Sequence, residues 1–274
     1  MLSLNSPIVK DLIKQALIED IGSGDITTAA LIPENKTITA RYNFREPGVV
    51  AGLPILKIMF PDINIEFLVN EGDKVNAGQD VAVITGSAAA ILTEERLSLN
   101  FIQRMSAIAT MTAKFQQAIH PYKAKITDTR KSCPNFRIFE KYSVAVGGGS
   151  PHRFGLYDCV MIKDNHIAAF GGIKQAVTAA REKIPHTIKI EVETETLDQV
   201  KEALEAGADI IMLDNMPVDE MKEAVNLINK RAITEASGMI TLENVNEIAS
   251  SGVDYISTSA ITARAGIIDI GLDF

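Results

Sequence analysis

Residues 188–237 read IKIEVETETLDQVKEALEAGADIIMLDNMPVDEMKEAVNLINKRAITEAS, and this stretch decides the fold. Three short apolar runs alternate in it with two longer segments whose apolar residues recur at helical spacing. Strands that alternate with amphipathic helices are typical of a parallel sheet or a βα barrel. Extended to the second half of the chain, the pattern predicts six strands, at residues 124–127, 156–162, 188–192, 210–213, 233–236 and 253–256.

Polar residues follow all six predicted strands at their carboxyl ends. They are Arg130, Lys131, Lys163, Asp164, Glu193, Asp214, Asn215, Ser237, Gly238 and Ser257 to Ser259. In a closed βα barrel these ends converge on one face, where active sites form, whereas an open sheet binds its ligand in one crevice. Polar residues at every end therefore favour the barrel.

The first part of the chain has a different pattern. Ser6 and Pro7 are typical of a helix start, and apolar residues recur after them at helical spacing. Residues 37–85 carry short β-branched runs separated by turn sequences, which indicates a small β-rich domain. Residues 88–119 contain no glycine or proline and predict a long helix, or a pair of helices, between two domains.

The composition is that of an acidic globular enzyme. The 274 residues carry a net charge of −8 with a pI near 5.1, which argues against nucleic acid as a partner. We find no signal-peptide pattern and no apolar run of about 18 residues, so we expect a cytoplasmic protein without a membrane partner. The two cysteines, Cys133 and Cys159, are expected to be free thiols.

One segment reverses the overall charge. Between Thr129 and His166 lie six Lys or Arg and two His against three acids, which indicates a small, multiply negative ligand. Arg130, Arg153 and Lys163 are the strongest anion contacts, because an arginine fork pairs with a carboxylate while lysine acts as a compact charge. That mixture suits a dicarboxylate next to a phosphate, and surface salt bridges are the alternative.

Carboxylates and a histidine extend the candidate site. Glu193 and Asp214, at successive strand ends, suit Mg²⁺, which binds one or two protein carboxylates together with substrate oxygens; a solvated rim is the alternative. Alternation along the strand puts Glu191 on the same face as Glu193, so either could reach the metal. His152 orients a carboxylate or moves a proton, unless it is a buried structural histidine.

Serine-rich turns follow the last two predicted strands. Ser237-Gly238 and Ser257 to Ala260 lie where barrels commonly bind a phosphate through backbone N–H groups and hydroxyls. Ordinary turn chemistry explains such residues equally well. Both turns are therefore candidates for a phosphate site.

Taken together, the motifs resemble those of the quinolinate phosphoribosyltransferase family, the carboxylating nicotinate-nucleotide pyrophosphorylases. The resemblance spans nearly the whole chain and includes Thr129-Arg130-Lys131, Glu140-Lys141-Tyr142, Gly147-Gly148-Gly149, His152-Arg153, Lys163-Asp164-Asn165-His166, Glu191-Val192-Glu193, Leu213-Asp214-Asn215 and Glu235-Ala236-Ser237-Gly238. It implies transfer of phosphoribosyl from phosphoribosyl pyrophosphate to quinolinate with loss of the 2-carboxylate. The products would be nicotinate mononucleotide, CO₂ and pyrophosphate, a step in NAD biosynthesis.

The resemblance also implies a role for each site residue. The quinolinate contacts would be Thr129, Arg130, His152, Arg153 and Lys163, with Arg96 supplied by a second subunit. Lys131, Glu193 and Asp214 would be the catalytic residues that serve the phosphoribosyl donor, and Glu193 and Asp214 would hold its Mg²⁺. The 5′-phosphate contacts would be Ser237, Gly238, Ser257 and Ser259.

The fold that the resemblance implies is an N-terminal α/β sandwich and a C-terminal incomplete βα barrel, a type II phosphoribosyltransferase-like arrangement. We assign residues 1–101, completed by the tail 265–274, to the sandwich domain and residues 102–264 to the catalytic barrel. In the family each N-terminal domain covers the barrel of a second subunit. A homodimer or a higher assembly is therefore expected.

The last phosphate turn departs from the family pattern. Ser259 stands where a glycine is usual, and Ala263 stands where a histidine is usual. We hypothesise that Arg264 supplies the cation that the missing histidine would have given.

Three other functions stay open on the sequence alone. A related protein of molybdenum transport shares the fold, whereas the Lys163-Asp164-Asn165-His166 motif favours the quinolinate enzyme. Lys163 at a strand end could also form a Schiff base, as in an aldolase. The segment Glu71-Gly72-Asp73-Lys74-Val75 resembles a biotinyl or lipoyl carrier hairpin, but no lysine tip follows it.

Overall fold

The computed structural model describes residues 3–274; residues 1 and 2, where the predicted sandwich domain begins, lie outside the described part. The helices are α1 (Pro7–Ile21), α2 (Ile26–Leu31), α3 (Leu53–Met59), α4 (Ala88–Ala118), α5 (Arg137–Val146), α6 (Asp164–Phe170), α7 (Ile173–Lys183), α8 (Leu197–Glu205), α9 (Val218–Ile228), α10 (Val245–Ala249) and α11 (Ala260–Ala263). The strands are β1 (Thr37–Phe44), β2 (Gly48–Val49), β3 (Asn64–Phe67), β4 (Lys74–Val75), β5 (Gln79–Ser87), β6 (Lys125–Thr127), β7 (Val160–Ile162), β8 (Ile190–Thr194), β9 (Ile210–Asp214), β10 (Ile233–Ser237), β11 (Tyr255–Ser257) and β12 (Ile270–Asp273).

The described residues form two compact units. The sandwich unit contains the residues up to Ala113 together with Cys133–Gly148 and Thr262–Phe274, and the barrel unit contains Lys114–Ser132 and Gly149–Ile261. The sequence-based boundaries at residues 101 and 264 do not coincide with these units, because α5 packs into the core of the sandwich unit. The assignment of catalytic and N-terminal domains stays a prediction.

The sandwich unit is built on an antiparallel sheet with the strand order β12-β1-β5-β3, beside the short pair β2-β4. Strand β1 directs Ala40, Tyr42 and Phe44 into the core, where all three are buried. The tail closes this sheet, with β12 paired to β1 from Arg41 opposite Asp273. The N-terminal signal also acts as predicted, because Ser6 Oγ accepts the backbone N–H of Val9 and caps α1.

The segment without glycine or proline forms one continuous helix, α4, so the alternative of a helix pair is wrong. Within the sandwich unit, Phe101 of this helix packs against two aromatic rings at the start of α5. The Phe101 ring lies 5.0 Å from that of Phe139 in an edge-on arrangement and 5.4 Å from that of Phe136. Among residues 3–274, no helix combines the length and the apolar character needed to cross a membrane.

The barrel unit confirms the six predicted strands. They form a parallel sheet with the order β6-β11-β10-β9-β8-β7, which leaves β6 and β7 as its two ends. One predicted strand started too early, at Leu156, whereas β7 begins at Val160. The reason is a turn in which the Asp158 carboxylate accepts the backbone N–H groups of Phe154 and Gly155, and this leaves Leu156 exposed.

The register defines one face of the parallel sheet that carries the functional groups, which we call the site face. Partner residues in neighbouring strands share a face, and alternate residues along a strand share it too. The pairs Glu193–Met212, Glu235–Met212 and Asp214–Ser237 therefore place Glu191, Glu193, Asp214, Glu235 and Ser237 together. The opposite face carries the fully buried residues Val192, Leu213, Ala236 and Ile256.

Candidate active site

Most of the predicted site residues belong to the barrel unit. These are Thr129, Arg130, Lys131, His152, Arg153, Lys163, Glu193, Asp214, Ser237, Gly238, Ser257 and Ser259. Arg96 and Arg264 are exposed residues of the sandwich unit. Their roles toward quinolinate and phosphate stay predictions.

Glu193 and Asp214 lie on neighbouring strands but are not paired with each other. Strand β8 continues to Thr194, so Glu193 lies inside it and pairs with Met212. Asp214 is the last residue of β9 and pairs with Ser237. The offset of two residues places the Asp214 backbone roughly 7 Å further toward the carboxyl edge of the sheet than that of Glu193.

Lys163 and Glu193 form an ion pair on the site face. Lys163 directly follows β7 and precedes α6, and its Nζ contacts Glu193 Oε2. The Lys163 side chain is 43% exposed and that of Glu193 15%, so the pair lies at an accessible edge. His166 has a structural role, because its Nδ1 accepts the backbone N–H of Lys163 at 3.0 Å.

His152 lies between two buried carboxylates. Its Nε2 is 3.4 Å from Glu191 Oε2 and 3.4 Å from Glu235 Oε1. Its backbone N–H donates to Asp128 Oδ1 at 2.7 Å, which holds the loop after β6 against the chain that leads to β7. In residues 3–274 this is the one group of three His, Cys, Asp or Glu side chains whose ligand-type atoms all lie within 4.8 Å.

The proton distribution in this cluster follows from its geometry. Burial raises the pKa of Glu191 above its ordinary value. Burial of His152 works in the opposite direction, but hydrogen bonding to the two carboxylates outweighs it and raises the pKa of His152 to about 10. The cluster therefore keeps a proton at neutral pH. The backbone N–H of Arg153 donates to His152 Nδ1 at 2.7 Å, so Nε2 is the ring nitrogen that donates toward the two carboxylates.

The Arg153 side chain is held on the same part of the sheet. Its guanidinium donates to the Cys159 carbonyl at 3.0 Å and contacts the Met161 sulfur at 3.5 Å. Met161 pairs with Glu191, so the guanidinium lies beside the site face. Burial, followed by the charge of Glu191, raises the pKa of the Cys159 thiol to about 11, and this thiol is therefore neutral at physiological pH.

The two candidate phosphate turns are locked by backbone contacts. Gly238 has φ +101°, and a Cβ atom there would lie 2.2 Å from Asn215 Oδ1, so only glycine fits. Asn215 itself has a positive φ, and its N–H donates to the Ser237 carbonyl at 2.9 Å. In the last turn the Thr258 hydroxyl accepts the N–H of Ala260 at 3.1 Å.

The carboxylates on the site face fit Mg²⁺ by their chemistry. Glu193 and Asp214 offer oxygen ligands, and neither is buried, so water and substrate oxygens could complete the shell. Each already has one partner, Lys163 for Glu193 and the Asn215 amide for Asp214 at 2.8 Å. Glu191 instead faces His152, which makes Glu193 the better candidate of the two glutamates.

Three further residues of the site were not assigned a role from the sequence. Glu235 shares His152 with Glu191, Asp128 holds the His152 backbone, and Asn215 packs against Gly238. Glu235 had a detectable signal, because it is the charged residue of a short strand whose other residues are uncharged. Asp128 and Asn215 act through backbone contacts between distant segments, which sequence spacing does not show.

Comparison with known proteins places the chain in one family. The family model for the N-terminal domain of quinolinate phosphoribosyl transferase matches residues 25–106, and the model for its C-terminal domain matches residues 108–273. The probable carboxylating nicotinate-nucleotide pyrophosphorylase of Bacillus subtilis is 43% identical over 98% of this chain and 94% of its own length. The counterpart of Synechocystis is also 43% identical, over 97% of this chain and 92% of its own length.

A solved structure supports the same assignment. The crystal structure of NadC from Streptococcus pyogenes superposes with a TM-score of 0.95 at 38% identity, covering 100% of this chain and 98% of that one. The predicted α/β fold with a sandwich and an incomplete barrel is thereby confirmed. With both family models and relatives of nearly equal length in agreement, the chain belongs to the quinolinate phosphoribosyltransferase family.

Proposed function

We propose that this chain transfers phosphoribosyl from phosphoribosyl pyrophosphate to quinolinate with decarboxylation, giving nicotinate mononucleotide, CO₂ and pyrophosphate. The observation that carries the proposal is the family match across both halves of the chain. The curated relatives named as carboxylating nicotinate-nucleotide pyrophosphorylases agree with it. The chain is accordingly an enzyme of de novo NAD biosynthesis.

The quinolinate carboxylates bind to the cations around the barrel strands. Arg130 and Lys163 follow β6 and β7, and Arg153 lies beside the site face. Arginine forks pair with carboxylates through two parallel hydrogen bonds, which orients a flat dicarboxylate as well as attracting it. His152 has both ring nitrogens engaged within the chain, so a contact with quinolinate requires Nδ1 to release the Arg153 N–H.

The phosphoribosyl donor lies along the carboxyl edge formed by β8 to β11. Glu193 and Asp214 hold the Mg²⁺ of the donor, and Lys131 contributes a positive charge next to them. The turn around Ser237 and Gly238 binds the 5′-phosphate through backbone N–H groups, a use for which a locked turn with positive φ is suited. Ser257 and Ser259 complete that subsite.

Charge placement accounts for the chemistry without a covalent nucleophile. When bound, Mg²⁺ supplies positive charge to the pyrophosphate oxygens as they become a leaving group. Lys131 adds to that charge, and Glu193 and Asp214 favour the positive character that develops on the ribose. The arginines and Lys163 stabilise the electron pair left on the ring when the 2-carboxylate departs as CO₂.

Two alternative functions lose support from specific contacts. An aldolase needs a free Lys163 amine, but its Nζ contacts Glu193. A carrier hairpin needs an exposed tip, whereas Glu71 is half-buried and accepts the N–H groups of Gly52 and Leu53 at 2.6 and 3.0 Å, capping α3. Lys163 and Glu71 are thus already engaged in contacts within the chain.

We also propose that the enzyme is a cytoplasmic homodimer in which Arg96 of one subunit reaches the quinolinate of the other. Arg96 is exposed on α4, as a contact with another chain requires. Mixing Arg96→Ala chains with Lys163→Ala chains tests this arrangement. Recovery of activity in the mixture is expected, because one of the two sites in a mixed dimer then has both residues.

Product analysis tests the proposed reaction. Purified protein is incubated with quinolinate, phosphoribosyl pyrophosphate and Mg²⁺, and nicotinate mononucleotide is measured by chromatography. We expect product with quinolinate, none after addition of a chelator, and a loss of at least about 100-fold in kcat/KM in Asp214→Ala. Absence of nicotinate mononucleotide from the intact protein would refute the proposal.

A further inference from the structure

A large cavity lies at the amino-terminal ends of the barrel strands, away from the candidate active site at their carboxyl ends. Its volume is about 1170 Å³, and it is lined by the first residues of three strands, Lys125, Ile233 and Tyr255. Strands of three to five residues separate the two ends by roughly 10–16 Å. The cavity is therefore separate from the groups that serve quinolinate and phosphoribosyl pyrophosphate.

The cavity is lined with cations that have no acidic partner. Lys123, Lys125, Lys189 and Lys230 all line it, and no carboxylate oxygen in residues 3–274 lies within 4.0 Å of their Nζ atoms. A protein with a net charge of −8 thus gathers four lysines around one cavity. Such a concentration of one sign of charge in a concave surface focuses the field and attracts anions.

The acids that line the cavity do not neutralise these lysines. Asp209 accepts from the Arg181 guanidinium and from the Ile190 N–H, both at 2.7 Å. Asp254 accepts the N–H and the hydroxyl of Thr234 at 2.9 and 2.8 Å. Against the charges of these two carboxylates stand four lysines and Arg231 in the lining, so the cavity keeps a net positive charge.

Two of the lysines extend from the site face of the sheet and not from its outer surface. Lys125 pairs with Tyr255, which in turn pairs with Glu235. Lys189 precedes Glu191 by two residues and so shares its face. Charged residues on the inward side of a sheet are uncommon unless an opposite charge or a ligand meets them.

Aromatic rings in the cavity indicate the rest of the ligand. Tyr122 is 41% exposed and Tyr255 is half-buried, and both line the cavity. A tyrosine ring stacks on a nucleobase, while lysine ammonium groups bind phosphate as point charges. We propose that this cavity is a second anion site, which binds a nucleotide carrying two or more phosphates.

Calorimetric titration with ATP and AMP tests this site. The double variant Lys125→Ala, Lys189→Ala should weaken ATP binding at least tenfold, while Lys201→Ala, Lys222→Ala, which removes two exposed lysines paired with acids in the same unit, should change it less than twofold. AMP should bind at least tenfold more weakly than ATP, because it offers fewer charges to the lysines. Lys131→Ala separates this site from the donor site and should leave ATP binding unchanged.

The outcomes decide the proposal. Absence of ATP binding to the intact protein overturns the proposal. It is also overturned if Lys131→Ala abolishes ATP binding while the double variant Lys125→Ala, Lys189→Ala retains it. If that double variant does not fold, the loop variant Lys123→Ala, Lys230→Ala replaces it, with the same tenfold loss expected. Retention of full affinity in a folded loop variant would likewise contradict the site.

Discussion

The Nε2 atom of His152 lies 3.4 Å from Oε2 of Glu191, inside a sheet whose neighbouring strand brings Glu235 to the same nitrogen at the same distance. One imidazole thus meets two buried carboxylates. Burial alone would lower the pKa of His152, but hydrogen bonding to the two carboxylates outweighs it and raises that pKa to about 10.

The cluster predicts how the titration of His152 changes when either carboxylate is removed. Glu191→Gln and Glu235→Gln each take away one of the two groups that raise the pKa of His152, so each should lower that pKa. NMR titration of the imidazole measures the shift, and an unchanged pKa in both variants would contradict this account of the cluster.

The turn at Gly238 predicts a coupled loss of stability and donor binding. Gly238→Ala forces Cβ against Asn215 and should cost about 2–3 kcal/mol in unfolding free energy while raising the KM for phosphoribosyl pyrophosphate. Gly252→Ala is the matched control, since Gly252 has a similar φ of +87° but its nearest neighbour, Val225 Cγ1, lies 3.7 Å from the added Cβ. Equal stability losses in the two variants would exclude the clash as the cause.

Glu94 in the sandwich unit predicts a pH-dependent stabilisation. Burial raises the pKa of Glu94 to about 7, and its Oε2 has no hydrogen-bond partner among the described residues. Between pH 4.5, the ordinary pKa of glutamate, and pH 7, the unfolded chain has released the Glu94 proton while the folded chain still holds it. Rising pH in this range therefore favours the unfolded chain and lowers the free energy of unfolding. Glu94→Gln should therefore stabilise the protein by up to about 1 kcal/mol at pH 8, a value reduced for its partial exposure, and by nothing at pH 4.5.

Denaturant midpoints at both pH values measure that effect. Glu95→Gln, the neighbouring substitution on α4, is the control for removing a carboxylate from this part of the helix. A stabilisation by Glu94→Gln that is as large at pH 4.5 as at pH 8 would show that ionisation is not its cause.

The altered last turn predicts a role for Arg264. If this exposed arginine replaces the missing histidine, Arg264→Ala should raise the KM for phosphoribosyl pyrophosphate by about tenfold and leave the KM for quinolinate within about twofold. Ala263→His in the same background should restore part of the loss. Steady-state kinetics with each substrate varied in turn measure both KM values. If neither KM changes in Arg264→Ala, this role for Arg264 is contradicted.

The strand–helix alternation was sufficient to predict the barrel, because its strands and the helices α8 and α9 have a regular apolar pattern. The predicted start of β7 at Leu156 was wrong because a side-chain-capped turn overrode an apolar run. The roles of the site residues stay predictions, but the placement of charged residues at strand ends was predictable, as for Lys163 and Asp214. The partnership of His152 with Glu235 was not, because it joins segments more than 80 residues apart through a register that only pairing fixes.

The release of labelled CO₂ tests the central claim most directly. Quinolinate carrying an isotopic label in its 2-carboxylate is incubated with the protein, phosphoribosyl pyrophosphate and Mg²⁺, with nicotinate as the control substrate. The account predicts one labelled CO₂ for each pyrophosphate formed, and none with nicotinate. Formation of pyrophosphate without labelled CO₂ would contradict the account, and so would the absence of both products from folded protein.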